Sequence, residues 1–308
     1  MKSYYRIMLG KRSKYAQKGF EEGFVGADYS IALDLSNKLP EDWRAFNKEF
    51  IPLYMENNPG KTKIAAGLAC GMLWTIAKGI QMGDIVLCPD GSGTYHVGEI
   101  SSGYFYHPEE ILPHRRSVHW LEKTINRADM SDALQHSTGS IGMLSNITVY
   151  GNEIEGLIGN SPVSPIITAD ETIEDPATFA MEKHLEEFLV QNWSHTAIGK
   201  DFDIYKEDNE LVGEQYPTDT GPIDILAISH DKKKLLVVEL KRGRASDSVV
   251  GQIQRYMGYV KDELAEAGQQ VHGVIIAMED DQRMRRALSV APNIEFYRYE
   301  ISFKLLKG

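Results

Sequence analysis

Two acidic residues and a lysine stand out because they interrupt runs that are otherwise apolar. Asp224 lies in Gly221-Pro222-Ile223-Asp224-Ile225-Leu226, and Glu239 and Lys241 close the run Leu235-Leu236-Val237-Val238-Glu239-Leu240-Lys241. A strand turns successive side chains to opposite faces, so Glu239 and Lys241 share a side with Val237, while Leu236, Val238 and Leu240 face the other way. A carboxylate and an ammonium beside apolar neighbours are costly unless they pair or hold a metal. If the two strands are hairpin neighbours, Asp224 and Glu239 converge on one hard cation; Mg²⁺, which takes few protein carboxylates and keeps several waters, fits. Lys241 then sits where it can orient or polarise a metal-bound water and stabilise charge on a phosphate. An isolated Glu-x-Lys on a strand is more often a structural ion pair. Here the surroundings favour chemistry: the preceding helix offers Glu182 and Glu186, one turn apart, and the following one offers Gln252, Arg255 and Tyr256, with Gln252 and Tyr256 on one face.

The elements around these residues predict an α/β sandwich on a mixed sheet. Pro176 is placed to open a helix through Asn192, with Phe179, Leu185, Phe188 and Leu189 inward. Short strands are expected over residues 202–205, 223–228 and 235–240, then a long helix over 246–267 ended by Gly268, a strand over 271–277, a short helix over 283–290 and a last strand over 294–303. The N-terminal part reads differently, as α+β. A strand over residues 4–9 is followed by helices over 40–57 and 63–78, and then by short runs over 84–88, 94–100, 103–107 and 116–121. The turn Pro89-Asp90-Gly91-Ser92-Gly93 is a hairpin signal, so a small, strongly curved antiparallel sheet is expected after the helices. Between the parts, residues 151–178 are rich in Gly, Asn and Ser and contain Pro162, Pro165 and Pro176. The expected organisation is a domain over 1–150, a linker over 151–175 and a second domain over 176–308.

With Asp224, Glu239-x-Lys241, a helical glutamate upstream and Gln252-x-x-x-Tyr256 downstream, the C-terminal half resembles the PD-(D/E)XK nuclease superfamily. Its usual Pro-Asp is here Ile223-Asp224, with Pro222 one position early. The phrases YPTDTGPIDILAI, LLVVELKRGRASD, VVGQIQRYMGYVK and EFYRYEISF are similar to the nuclease domain of the NucS/EndoMS endonucleases, over residues 177–303. The resemblance implies a restriction-endonuclease-like fold, Asp224 and Glu239 as metal ligands, Lys241 as catalytic lysine, Gln252 as an active-site helper, and Mg²⁺ or Mn²⁺ as cofactor. For the helical acid Glu182 is preferred to Glu186, because it lies farther from the helix C-terminus. Lys241-Arg242-Gly243-Arg244 follows the strand directly, and Arg255 and Tyr256 lie on the next helix. Beside a nuclease motif these are expected to contact DNA phosphates.

In residues 4–147 the succession Gly83-Asp84-Ile85-Val86-Leu87, Tyr95-His96-Val97-Gly98-Glu99-Ile100, Tyr104-Phe105-Tyr106 and His114-Arg115-Arg116-Ser117-Val118-His119-Trp120-Leu121 resembles PUA-like modules, including EVE-type domains of modification-dependent restriction proteins. The resemblance implies a pocket for a flipped-out base. Trp74, Tyr104, Tyr106 and Trp120 are its stacking candidates, and Arg115 or Arg116 the backbone contact. Two other patterns carry less. Asn58-Pro59-Gly60-Lys61-Thr62 ends like a phosphate-binding loop, but a helix rather than a strand precedes it. His107, His114 and His119 lack the Cys or carboxylate partners of a zinc site.

The 308 residues carry 33 Lys+Arg against 44 Asp+Glu, a formal net charge of -11, which argues against coating nucleic acid through bulk charge. No apolar run reaches the ~20 residues of a membrane span, and Cys70 and Cys88 read as two buried thiols. The expectation is a cytoplasmic, metal-dependent DNA endonuclease without membrane attachment, acting as a homodimer, with the N-terminal domain choosing a modified base as in genome defence. A repair nuclease for mismatched or branched DNA is the alternative. A non-catalytic nucleic-acid-binding protein is disfavoured because every metal and lysine position is filled.

Overall fold

The computed structural model describes residues 2–139, 142–159, 185–207 and 210–300. The chain divides into two compact units, Met1–Ile173 and Glu174–Gly308.

The first unit is built on a seven-stranded sheet. Its strands are β1 (Tyr4–Ile7), β2 (Phe24–Ala27), β3 (Ile85–Pro89), β4 (Thr94–Ile100), β5 (Phe105–Tyr106), β6 (His114–Asn126) and β7 (Leu144–Asn146). The order is β2-β6-β4-β3-β1-β7, with β5 also on β6. β1 and β3 run parallel, Tyr4 opposite Ile85, and the other pairs are antiparallel. The expected small antiparallel sheet is therefore a larger mixed one, because the chain crosses over between β1 and β3 through α1 (Ala16–Glu22), β2, α2 (Trp43–Asn57) and α3 (Lys63–Trp74). Asp42 caps α2 by accepting from the Arg44 amide, and Thr62 caps α3 by accepting from Ala65. With α2 ending just before Gly60 and Thr62 serving as a cap, the Asn58–Thr62 segment is an interhelical turn. The hairpin turn forms as expected: the Asp90 carboxylate accepts from the Ser92 amide at 2.7 Å, with Gly91 and Gly93 at positive φ.

After α4 (Asp132–Thr138), residues 151–157 depart from the expected linker. They form α5 (Gly151–Leu157), which buries Ile154 with Tyr4, Leu87 and Leu134 in the first unit's core. Cys70 and Cys88 are both buried and free, and burial pushes each thiol up to about 12.

β6 carries two buried arginines, of which one or the other was expected to contact the nucleic-acid backbone. Arg116 donates from Nε to the Ile76 carbonyl (2.8 Å) and from Nη2 to Ala77 (2.9 Å), in the π-helical turn Thr75–Gly79 that ends α3. The last carbonyls of a helix lack intrahelical donors, and the guanidinium supplies them. Arg115 donates to Leu112 (3.0 Å) and Ile111 (2.7 Å), with its guanidinium 3.8 Å from the Phe24 ring centre. Both are 5% exposed, so they brace the fold and are not available for a backbone contact. Between them and β5, the fully buried His114 takes a defined tautomer. Nε2–H donates to the Ile31 carbonyl (2.8 Å), leaving Nδ1 to accept from the Tyr104 hydroxyl (2.9 Å), which itself accepts from the Leu35 amide.

The second unit has a six-stranded sheet in the order β11-β12-β13-β14-β15, with β8 also on β12. The strands are β8 (Phe202–Ile204), β11 (Glu214–Thr218), β12 (Gly221–Ser229), β13 (Lys234–Leu240), β14 (Gln270–Ala277) and β15 (Ile294–Arg298); β9 (Lys206–Glu207) and β10 (Glu210–Leu211) form a separate hairpin. β11, β12, β13 and β8 pair antiparallel, while β13, β14 and β15 are parallel, so the sheet is mixed as expected. One face packs Ile225, Ala227, Leu236, Val238, Leu240, Val274 and Ile276 against Trp193, Ile198 and the helix α6 over residues 185–191, through Leu185, Leu189 and Val190. Phe188, expected inward, is 63% exposed. The parallel crossover runs through α7 (Asp247–Tyr259), which lies so close to β14 that a Cβ on Gly273 would meet Met257 Sδ at 2.7 Å. α8 (Gln282–Leu288) leads to β15. Expected elements over residues 176–184 and 301–303 lie outside the described residues. Among the described residues no helix is long and apolar enough to cross a membrane.

Two outcomes are expected from the first unit. Replacing Arg116 with Ala leaves the Ile76 and Ala77 carbonyls without their donor and should cost about 3 kcal/mol in urea unfolding. Burial lowers the His114 pKa below its ordinary 6.5, opposed by the Ile31 bond and by Asp28 and Asp34. The unfolded chain then takes up a proton near pH 6.5 that the folded unit refuses until lower pH. This contribution to stability is full above pH 6.5, declines as pH falls, and levels off once the folded imidazole is protonated. Between about pH 8 and about pH 5, Tm should therefore fall further for the wild type than for His114→Gln.

Candidate active site

The antiparallel ladder between β12 and β13 runs from Ile228↔Leu235 to Ile225↔Val238 and stops there. One step further the strands part, and Asp224 stands opposite Glu239 on the side away from the Ile225–Val238 core. Parting would strand the Leu240 amide, which instead donates to Asp224 Oδ2 at 2.7 Å. The carboxylate stands in for the missing carbonyl of the ladder. Beside it, Glu239 is 2% exposed, and Lys241 Nζ lies 3.2 Å from Glu239 Oε1. Lys241 is just past β13, where its amide still donates to Ile276 of β14 (2.8 Å). The alternation read from sequence thus brings Asp224, Glu239 and Lys241 together.

Two further elements reach this point. On α7, Gln252 Nε2 donates to Tyr256 Oη at 3.4 Å. Tyr256 is buried against Gly221: with φ of 121° and no side chain, that glycine leaves room where a Cβ would come within 3.0 Å of the phenol oxygen. Burial raises the phenol's pKa; the Gln252 bond and Lys241 oppose this, while Glu239 and Asp224 add to it. Tyr256 therefore remains a neutral hydroxyl facing two carboxylates and an ammonium. On α6, the buried Glu186 accepts from Gln215 Nε2 at 2.7 Å, and the same amide nitrogen lies 3.3 Å from Asp224 Oδ1. Glu182 lies outside the described residues. Gln215 was not anticipated; the signal for it was the short turn Asp219-Thr220, which folds residues 214–218 back onto 221–225 and sets Gln215 opposite Asp224.

Asp224 and Glu239 offer only hard oxygen donors, from two strands whose backbone fixes them. That set suits Mg²⁺ or Mn²⁺, which bind through one or two carboxylates and retain water. Among the described residues no three or more His, Cys, Asp or Glu side chains gather into a metal-holding group.

Residues 181–304 match the family model described as the Endonuclease NucS C-terminal domain. The C-terminal unit is similar to a NucS nuclease domain. The matched segment contains Asp224, Glu239, Lys241, Gln252, Tyr256, Glu182 and Glu186. Residues 5–144 match a domain of unknown function, DUF8426. Endonuclease NucS of Corynebacterium aurimucosum is 34% identical over 109 residues, 34% of this chain and 41% of that protein. The Aeropyrum pernix Endonuclease NucS is 30% identical over 107 residues, 34% of this chain and 38% of that protein. The chain thus spans about two fifths of these relatives' length. Among solved structures, a repair endonuclease from Pyrococcus abyssi (17% identity, TM-score 0.31) covers 69% of this chain, which covers 66% of it. An EndoMS–dsDNA complex (16%, TM-score 0.33) covers 70%, and is covered over 68%.

The basic turn beside the NucS-like site is stapled to the end of β14. The Gly243 carbonyl accepts from Met278 (2.8 Å) and Glu279 (3.1 Å), and exposed Arg244 pairs with Glu279 at 3.4 Å. Arg242 and Arg255 are also exposed. In the first unit, of the four aromatic residues expected to share a base pocket, Trp74 and Tyr104 share one cluster, Tyr104 and Tyr106 both lie against His114, and Trp120 packs in another cluster. Trp74 and Tyr104 pack on the α2–α3 core, where Trp74 stacks with Trp43 at 6.2 Å and Tyr104 is pushed up to about 12 by burial. Trp120 belongs to another cluster, donating to the Gly19 carbonyl at 3.0 Å and meeting Phe20 edge-on. Tyr106 stands over His114 at 5.1 Å.

Removing the ammonium from this site should expose the cost of the carboxylate it serves. Lys241→Met is expected to lose about 3 kcal/mol of stability, because it leaves a buried carboxylate without its cation. The double variant Glu239→Gln/Lys241→Met should recover most of that loss, and urea unfolding of the four proteins measures the coupling.

Proposed function

We propose that this chain is a metal-dependent DNA endonuclease of the PD-(D/E)XK type, hydrolysing phosphodiester bonds at the Asp224–Glu239–Lys241 site. The observation that carries the reading is the opposed pair Asp224 and Glu239 at the parting of β12 and β13, with Lys241 3.2 Å from Glu239. The similarity of residues 181–304 to the NucS C-terminal domain supports it independently.

Asp224 and Glu239 would hold Mg²⁺ or Mn²⁺, with Glu186 tied to Asp224 through Gln215. The bound ion supplies Lewis acidity toward a phosphoryl oxygen and a water of lowered pKa. Lys241 keeps its ammonium within reach of the same centre, donating to the phosphate oxygens as charge grows on them and helping align the attacking water. Gln252 fixes the Tyr256 hydroxyl, a neutral donor that can hydrogen-bond a phosphate or water without adding charge. Arg242, Arg244 and Arg255 would contact flanking phosphates. Against a net charge of -11, DNA contact on this reading is local.

The first unit, PUA-like in this reading, would select the substrate. Of the two substrate classes, mismatched or branched duplex is the better supported. Selection of a modified base called for Trp74, Tyr104, Tyr106 and Trp120 in one pocket, and Trp120 packs in a different cluster from Trp74 and Tyr104. The reading includes a homodimer, since cutting both strands of a duplex takes two active sites.

A cleavage panel tests it: plain, cytosine-modified, mismatched and forked duplexes with Mg²⁺ or Mn²⁺. Mismatched or forked DNA should be cut in preference to plain duplex. Asp224→Asn, Glu239→Gln and Lys241→Met should each lower the rate by about 100-fold or more. A triple variant with undiminished cleavage overturns the assignment.

A further inference from the structure

Gln215 is the one residue of β11 with a left-handed backbone, at φ of 49°. Such a conformation is unfavourable for any side chain beyond glycine and is kept only where surrounding structure enforces it. The ladder to β12 is intact on both sides, with Glu214↔Ile225 and Tyr216↔Ile223, so this is neither a frayed end nor a loop. The side chain carried by that backbone gives its amide nitrogen to Glu186 at 2.7 Å and to Asp224 at 3.3 Å. The amide has two hydrogens and here has one carboxylate for each. Three elements meet through it: α6 with Glu186, β11 with Gln215, and β12 with Asp224, whose other oxygen is held by Leu240.

We infer that Gln215 is a positioning residue for the metal-holding carboxylates: it fixes Asp224 in its orientation and keeps Glu186 of α6 one amide away, and the left-handed backbone serves that placement. The inference rests on the nuclease reading above and adds to it a residue that acts through Asp224 and Glu186 rather than on substrate. Asp224 Oδ1 and Oδ2 each accept a fixed donor, which holds the orientation of the carboxylate. Partners that orient a ligand in this way usually matter for affinity by about ten- to a hundredfold.

Backbone and side chain make opposite demands, and that permits a test which separates placement from folding. Gln215→Gly removes the amide and relieves the left-handed backbone; Gln215→Met keeps length and bulk but has no donor. Mn²⁺ binding to the full-length protein is followed by titration calorimetry and electron paramagnetic resonance, and Tm is measured on the same samples. Both variants should bind Mn²⁺ about tenfold more weakly or worse, while Gln215→Gly, relieved of the left-handed strain, keeps a higher Tm than Gln215→Met. In a Glu186→Gln background, Gln215→Gly should add little further loss, since both changes break the same link. Mn²⁺ affinity unchanged or tightened in Gln215→Gly, with the wild type binding normally, overturns the inference alone. A wild type that takes up no Mn²⁺ overturns the nuclease reading and this inference with it.

Discussion

The hydrogen bond from the Leu240 amide to the Asp224 carboxylate is the contact on which the C-terminal site depends. A sheet that continued in register past Ile225↔Val238 would leave little space at this end for a substrate. A sheet that simply opened would leave a backbone amide without an acceptor, at a cost comparable to a lost hydrogen bond. Asp224 resolves the conflict by accepting where the backbone no longer does. Folding and the proposed chemistry therefore share one side chain: the residue that satisfies Leu240 also stands opposite Glu239. Removing the carboxylate removes an acceptor from the sheet as well as a charge from the site, and an amide of the same shape separates the two effects.

The remaining features of the site follow from what flanks that opening. On one side β13 and β14 stay parallel past the last residue of β13, and the Lys241 amide bonds Ile276. The lysine thus projects from backbone held as firmly as a strand, and the turn Arg242–Arg244 that follows is pinned to Met278 and Glu279. On the other side Gly221 allows Tyr256 to close over the start of β12. Glu239 is buried and Lys241 half-buried beside it, and apolar residues of similar volume would stabilise the sheet as well or better.

Much of this was legible in the sequence because strand periodicity is strict. Two-residue alternation assigned Glu239 and Lys241 to one face and Leu236, Val238 and Leu240 to the other, and both assignments agree with the packing. What alternation could not supply is contact between segments far apart in the chain. Glu186 meets Asp224 through Gln215, from a strand, β11, that lies outside the runs expected to form strands. The mixed sheet of the first unit was read as antiparallel for a related reason: the parallel pairing of β1 with β3 joins residues about eighty positions apart, beyond any local pattern. Phe188 failed differently. Its spacing fits the inward stripe of α6, yet Leu185, Leu189 and Val190 fill that face.

Arg115 and Arg116 show why a cationic pair near aromatic residues is weak evidence for nucleic-acid contact. A guanidinium is also well suited to an interior with unsatisfied carbonyls, because it presents five donors in a plane and its face packs on a ring. Arg116 serves two carbonyls of the π-helical turn after α3, and Arg115 two of the loop before β6 while lying over Phe24. With His114 they form a continuous internal strip that ties β6 to the helices and to the segment around Ile31. Removing these arginines from the surface inventory makes the first unit less able to hold DNA by charge. Any selection by the first unit would then depend on shape and on groups still exposed, and in the proposed reading Lys241, Arg242, Arg244 and Arg255 of the second unit supply the cations beside the site. The excess of acid over base along the chain is compatible with the proposed DNA contact because that contact is local, with Lys241, Arg242 and Arg244 following β13 directly.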